Sequence, residues 1–398
     1  MLACILAGML VMPALAAAPV AVPSRFVGVN VDGPMNPGAS AGMNLSQQFG
    51  LMEQTGVESV RVVFDWSFAQ PYASWSDVPA NARSQYTDAG GVPTNFSQED
   101  QIVALAAKRG LTVLPVVIYP PRWDFAPAKV LWFGRPERNG PYAAFLTDLI
   151  DRYGPNGSFW NGRSGPRVPI RQWQIWNEPD LRGFWPTQPF ASTYVALLKA
   201  AHSAIKKADP GAQVVLAGLV NYSWKDLETI YRVAGARAAF DVAAAHPFTA
   251  KPPGVITILR NVRQVMDQNG DSGKPMIADE VSWISAQGQT RGSGDASLGI
   301  STTEAGQAHN IAALLPLLAR DRRSLGLTSF YYYTWAGNAM RSGSIFSIAT
   351  IFSFGGLLKY GNGKFTEKPA FFAFEKAALA MEHCKRKGTL ATHCARTS

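Results

Sequence analysis

An asparagine and a glutamate, Asn177 and Glu178, stand at the end of the run IRQWQIW (170–176), and a second glutamate, Glu280, closely follows PMIA (275–278). Two carboxyl groups flanking one bond are what glycoside hydrolysis needs. One, protonated, gives its proton to the leaving oxygen, and the other, ionised, attacks or activates water. A lone acid at a strand end is more often a helix cap or an ion-pair partner. Two acids at the ends of different strands, on opposite sides of a barrel mouth, are harder to dismiss. Trp173, Trp176 and Trp185 lie close to Glu178 in sequence, and apolar surroundings favour the neutral acid.

The elements that must present these groups are legible as apolar, β-rich runs alternating with longer helical patterns. Strands are predicted at 25–31, 59–66, 111–119, 170–176, 213–220, 241–248, 274–283 and 326–335. Helices are predicted around 44–55, 97–109, 140–153, 190–208, 224–237, 255–269, 303–322 and 367–381. Eight strand–helix pairs, with strands too apolar for one-sided burial, predict a single α/β domain over 25–381, a (β/α)8 TIM barrel. A doubly wound open sheet is the alternative, and no glycine-rich nucleotide loop follows the first strand to support it. The segments after the strands are long and aromatic: Trp66, Phe68, Tyr72, Trp75 and Tyr86, then Tyr119, Trp123, Phe125, Trp132 and Phe133, then Phe184 and Trp185. In a barrel these form the C-terminal face, where aromatic faces suit sugar rings and predict an extended, endo-acting groove.

Trp176-Asn177-Glu178-Pro179-Asp180 resembles the acid/base motif of the clan A (β/α)8 glycoside hydrolases, and its flanks are most similar to family 39, the β-xylosidase/iduronidase family. Asp279-Glu280-Val281-Ser282-Trp283 resembles that family's nucleophile segment on strand 7. Arg61, His246 and Trp335 match its arginine on strand 2, histidine on strand 6 and subsite tryptophan on strand 8. The resemblance covers about residues 25–380. It implies a retaining mechanism with Glu178 as general acid/base and Glu280 as nucleophile, ionised beside Arg61. Asn177 would donate to the sugar 2-hydroxyl, and Arg61, His246, Trp335, Trp283, Trp123 and Trp185 would contact substrate. On a regular strand Asp279 and Glu280 cannot both face inward, and the family pattern selects Glu280. One departure stands out: Phe248 occupies the place of a tyrosine that hydrogen-bonds the nucleophile in many clan members. Arg61 alone, or one of Tyr331, Tyr332 and Tyr333, must then do that work. A transglycosidase of the same mechanism and a glycan-binding barrel without catalysis are the competing readings.

The remaining composition narrows the class further. The chain has 398 residues, 47% of them hydrophobic, and a net charge of +9. Part of that excess lies in a polar basic tail at 382–398, and no Lys/Arg-rich helix or basic-aromatic repeat points to nucleic acid. A mildly positive body suits an anionic polysaccharide as well as a neutral one. No His-x-x-x-His, Cys-x-x-Cys or Gly-x-Ser-x-Gly pattern is present, so neither metal, cofactor nor serine nucleophile is expected. The uncharged apolar N-terminus with Ala14-Leu15-Ala16 reads as a signal peptide over 1–17, predicting export to periplasm or exterior, or anchoring if uncleaved. Prolines at 13, 19 and 23 speak against a stable membrane span. Removing the signal removes Cys4 and leaves Cys384 and Cys394, which could close a small tail loop or stay as thiols.

Overall fold

The structure, a computed structural model, describes residues 22–40, 42–126, 134–291, 299–339, 344–345 and 351–383. The predicted signal peptide, all three cysteines, Trp132 and Phe133 lie outside the described residues. Eight parallel strands form the centre: β1 (Val27–Val31), β2 (Ser59–Asp65), β3 (Thr112–Ile118), β4 (Gln172–Ile175), β5 (Gln213–Val215, resuming at Leu219–Val220), β6 (Ala243–His246), β7 (Met276–Val281) and β8 (Leu327–Tyr332). Each pairs with its neighbours in sequence, and β8 returns to β1. The first part of β5 pairs with β4 and the second with β6, and a Val215–Val242 bridge joins them. The sheet is therefore a closed barrel, as the alternation of runs predicts.

Besides a single turn at Trp66–Ala69, the helices are α1 (Leu45–Gln54), α2 (Ser97–Lys108), α3 (Asn139–Tyr153), α4 (Ala191–Ala208), α5 (Ser223–Tyr231), α6 (Pro252–Gln268), α7 (Glu304–Leu325) and α8 (Pro369–Met381). Local signals set their ends. The Thr303 side chain accepts from Gly306 N at the start of α7, and Gly326 at φ 65° stops it. The helix predicted to reach 237 ends at Tyr231, because Gly235 at φ 75° turns the chain into a short 3₁₀ segment. No described helix is long and apolar enough to cross a membrane.

Alternation along the strands divides their side chains between two environments. Val27, Val29, Val60, Val62, Trp173 and Ile175 belong to the large core shared with the helices. A separate, smaller cluster, Leu114, Val215, Val242, Ala244, Ile277 and Tyr331, fills the barrel interior. Towards the strand C-termini this packing gives way to polar side chains.

Candidate active site

Arg61 is the hub of that polar layer. Its Nη1 donates to Glu280 Oε1 and to Asn30 Oδ1, its Nε to Gln174 Oε1 and its Nη2 to Asn177 Oδ1, all at 2.7 Å. Asp279 Oδ2 lies 3.4 Å from Nε. Fixing Asn177 Oδ1 in this way leaves the amide Nδ2 as a donor beside the cavity. His246 is fully buried between three carboxylates. Its Nδ1 is 2.7 Å from Glu178 Oε1, and its Nε2 is 3.2 Å from Asp279 Oδ2 and 3.5 Å from Glu280 Oε1. Gln174 donates from Nε2 to Asp279 Oδ2 at 2.5 Å.

Backbone irregularity makes this convergence possible. The register of β7 shifts between Ala278 and Val281, so Asp279 and Glu280 both reach Arg61 and His246. This corrects the regular-strand expectation that only one of them faces inward. The gap in β5 at 216–218 has the same effect opposite: Leu216 O accepts from Gln174, and Gly218 O accepts from Glu178 N. Trp176 at φ 73° and Glu178 at φ 42° occupy the left-handed region, a strain that concentrates at functional sites.

Over this floor lies a cavity enclosing about 700 Å³, open solvent at its mouth included. Arg61, Asn177, Glu178 and Glu280 line it, with Asn30, Asp32, Tyr119, Phe184, Tyr333 and Phe352 and the strand-end residues Val31, Val62, Val63, Val116 and Ile118. One oxygen each of Glu178 and Glu280 and a ring nitrogen of His246 lie within 4.8 Å of one another. Such a trio has the donor chemistry to hold a cation, but here Arg61 and the histidine already supply the positive charge the carboxylates face.

Burial first, and then the nearby carboxylates of Glu178 and Asp279, push Glu280 up to about 7, although His246 and Arg61 pull it down. The ion pair with Arg61 exists, yet it does not hold Glu280 low as the sequence suggests. Burial opposes a charge on His246, but Glu280, Asp279 and Glu178 outweigh it and raise the ring well above its ordinary value. Asp279 is lowered: burial acts against it, and His246 and Arg61 overcome that.

The structure places the four predicted tryptophans outside the cavity lining. Trp335 is fully buried and donates to Gln48 Oε1 at 3.0 Å, beneath the site rather than flooring it. Tyr333 lines the cavity instead, its hydroxyl donating to Asp32. Trp283 donates to Thr249 O at 2.9 Å and Trp185 to Thr193 Oγ1 at 2.8 Å, both 1% exposed. Trp123 is partly buried against Trp66 and donates to Gln70 O at 2.8 Å, outside the cavity lining. These rings pack under the loops, each with its N–H satisfied. His246 supports the carboxylates from behind and does not line the cavity. Phe248 meets His246 in a T-shaped contact, while Tyr331 pairs with Ser59 and Tyr332 donates to Gly355 O. None of the three tyrosine hydroxyls considered thus goes to Glu280, which has Arg61 and His246 close to its Oε1.

Sequence reasoning missed Asn30, Asp32 and Gln174 as members of the site, and it considered Tyr333 only as a partner of the nucleophile, not of Asp32. A signal existed for two of them: Asn30 in VGVNV and Gln174 in QWQI are polar residues in apolar strands, on the same parity as other inward positions.

No family model matches the sequence, and no curated protein matches it. Solved structures match the fold. A family 39 glycoside hydrolase from Bacteroides cellulosilyticus superposes with a TM-score of 0.61 at 18% identity, over 89% of this chain and 63% of that one. A monomeric β-xylosidase from Caulobacter crescentus gives 0.59 at 18% identity, over 90% and 69%. The GH53 catalytic domain of Ignisphaera aggregans gives 0.58 at 20% identity, over 91% and 99%. The chain thus spans a little under two thirds of the first of these. At such identities the likeness establishes the fold, a (β/α)8 barrel shared with glycoside hydrolases.

Proposed function

We propose that the chain is a retaining glycoside hydrolase cutting β-glycosidic bonds of a poly- or oligosaccharide by double displacement. The observation that carries the reading is the carboxylate pair: Glu178 and Glu280 bring oxygens within 4.8 Å of each other at the wall of one solvent-open cavity. Retaining enzymes hold their two carboxyl groups about 5–5.5 Å apart, whereas inverting ones need about 6.5–9.5 Å to admit a water. In this reading Glu280 attacks the anomeric carbon with Arg61 at its Oε1. Glu178, one oxygen held by His246, protonates the leaving oxygen through the other and later deprotonates the incoming water. Asn177 donates to the 2-hydroxyl. Exposed Phe68, Phe125 and Tyr222, on the segments after β2, β3 and β5, support an extended, endo-acting surface.

The test is reducing-end release from a panel of neutral and uronate-containing polysaccharides, with Glu178→Gln and Glu280→Gln beside the wild type. Release by the wild type and loss in both variants is expected, and product lengths distinguish endo from exo. Undiminished release by Glu280→Gln would overturn the assignment of the nucleophile. Binding without cleavage by the wild type would favour a glycan-binding barrel.

A further inference from the structure

Beneath the two glutamates lies a third acid that the cleavage scheme does not use. Asp279 is wholly buried, and its Oδ1 has no hydrogen-bond partner among the described residues. Its Oδ2 collects everything: Gln174 Nε2 at 2.5 Å, His246 Nε2 at 3.2 Å and Arg61 Nε at 3.4 Å. A buried carboxylate left half-satisfied is costly, so its place needs a reason.

The histidine supplies one. Its two ring nitrogens face only carboxylate oxygens, Glu178 at Nδ1 and Asp279 with Glu280 at Nε2. A neutral ring would aim one lone pair at an anion, whereas an imidazolium satisfies both contacts as a donor. The space for this contact exists because residue 218, in the gap of β5, is glycine. A Cβ there would lie 2.0 Å from His246 Nε2 and 2.7 Å from Asp279 Oδ2.

We propose that Asp279 is a positioning residue that keeps the His246 ring doubly protonated and aimed at Glu178, and that Gly218 is what lets the two side chains meet. The inference rests on the reading of Glu178 as acid/base. With Nδ1–H fixed on Oε1, Glu178 keeps one orientation and offers its other oxygen to the glycosidic bond. The groups facing the ring are Glu178 beyond β4 and Asp279 and Glu280 on β7, with Arg61 on β2 bound to those two carboxylates, and Asp180 and Phe248 nearby. Asp279 also acts on the hydroxyls of Tyr194 on α4 and Tyr331 on β8. Removing one negative charge from this set makes every remaining proton easier to lose.

The experiment is an Asp279→Asn substitution read by the ¹⁵N signals of the His246 ring against pH. In the wild type the ring stays doubly protonated well above the ordinary range of histidine. In Asp279→Asn it should lose its proton at least about one pH unit earlier, and the alkaline limb of the pH–rate profile should move the same way. A merely structural loss would lower activity equally at all pH values. Gly218→Ala changes no charge, and it should move the ring titration in the same direction and cut turnover about a hundredfold by misplacing the ring. Should Asp279→Asn not fold, that variant decides. An unmoved ring titration overturns the proposal whatever the activity. A ring that moves in a protein that cleaves no glycan keeps the positioning role and removes the glycosidase reading.

Discussion

Two groups of side chains share the barrel interior, and they are built on opposite principles. Leu114, Val215, Val242, Ala244, Ile277 and Tyr331 form an apolar plug closed by packing. Towards the mouth Asn30, Arg61, Gln174, His246, Asp279 and Glu280 form a charged network closed by hydrogen bonds. The plug can give up a methyl group and keep its chemistry. The network cannot lose a charge without stranding another one where water does not reach. Changes in the plug should therefore cost stability alone, whereas changes at the mouth cost function, and stability too where a charge is stranded.

The largest effect belongs to Glu280→Gln. It should lower turnover about 10⁴-fold or more, as loss of a nucleophile does, with glycan binding retained. Kinetics on whichever polymer the wild type cuts, with calorimetric binding beside them, would check this. A variant that kept wild-type turnover would end the contrast, because the mouth would then be structural only. Next comes Arg61→Met, which strands Glu280 and Asp279. It should cost about 3–5 kcal/mol in denaturant unfolding as well as abolish activity. Made in the Glu280→Gln background the same change should cost less, since one of the stranded charges is already gone. One layer down, Ile277→Ala should cost about 2–4 kcal/mol by leaving a cavity, with turnover per folded molecule unchanged. A large fall in turnover there would show that the plug and the mouth are not separable.

The same contrast explains what could be read from the sequence. Most strands and helices lie within a few residues of the prediction, the overlong fifth helix excepted, because the apolar runs and stop signals that mark them are local. Glu178, Glu280, Asn177 and Arg61 come together as the motifs imply: Asn177 and Glu178 follow the end of β4, Arg61 projects from within β2, and Glu280 comes from the C-terminal part of β7. The failures fall where regular alternation fails. The register shift in β7 turns Asp279 inward with Glu280, and the gap in β5 opens room for His246 over Gly218. Beyond the end of β8, strand parity no longer tells which ring faces the cavity, so Tyr333 lines it and Trp335 packs below. Size misleads in the same way. A tryptophan near a site attracts a binding role, yet its large ring is also what fills space under long loops, as Trp185 and Trp283 do.

A last comparison sets Glu280 against Glu99 on α2, a buried acid outside the barrel. Burial first, then Asp65 and Asp100, push Glu99 up to about 8 against the pull of its own backbone and of Arg152, and its Oε2 has no hydrogen-bond partner among the described residues. Both acids bind their proton more tightly folded than unfolded. Their contribution to stability is therefore complete below the ordinary glutamate range, near pH 4.5. It is lost as pH rises through about 7 for Glu280 and about 8 for Glu99. The wild type should unfold more easily at pH 9 than at pH 6. A glutamine at 99 is neutral at every pH, so Glu99→Gln should raise stability by about 2 kcal/mol at pH 6 and by about 5 kcal/mol at pH 9. Its pH–rate profile should overlay that of the wild type, whereas Glu280→Gln should flatten the stability curve and abolish turnover together. Urea midpoints of the three proteins at the two pH values decide the matter. If Glu99→Gln were no more stable than the wild type at pH 9, burial at that position would not be holding the proton. If its pH–rate profile shifted, the titration of the barrel mouth would be coupled to the outer helices.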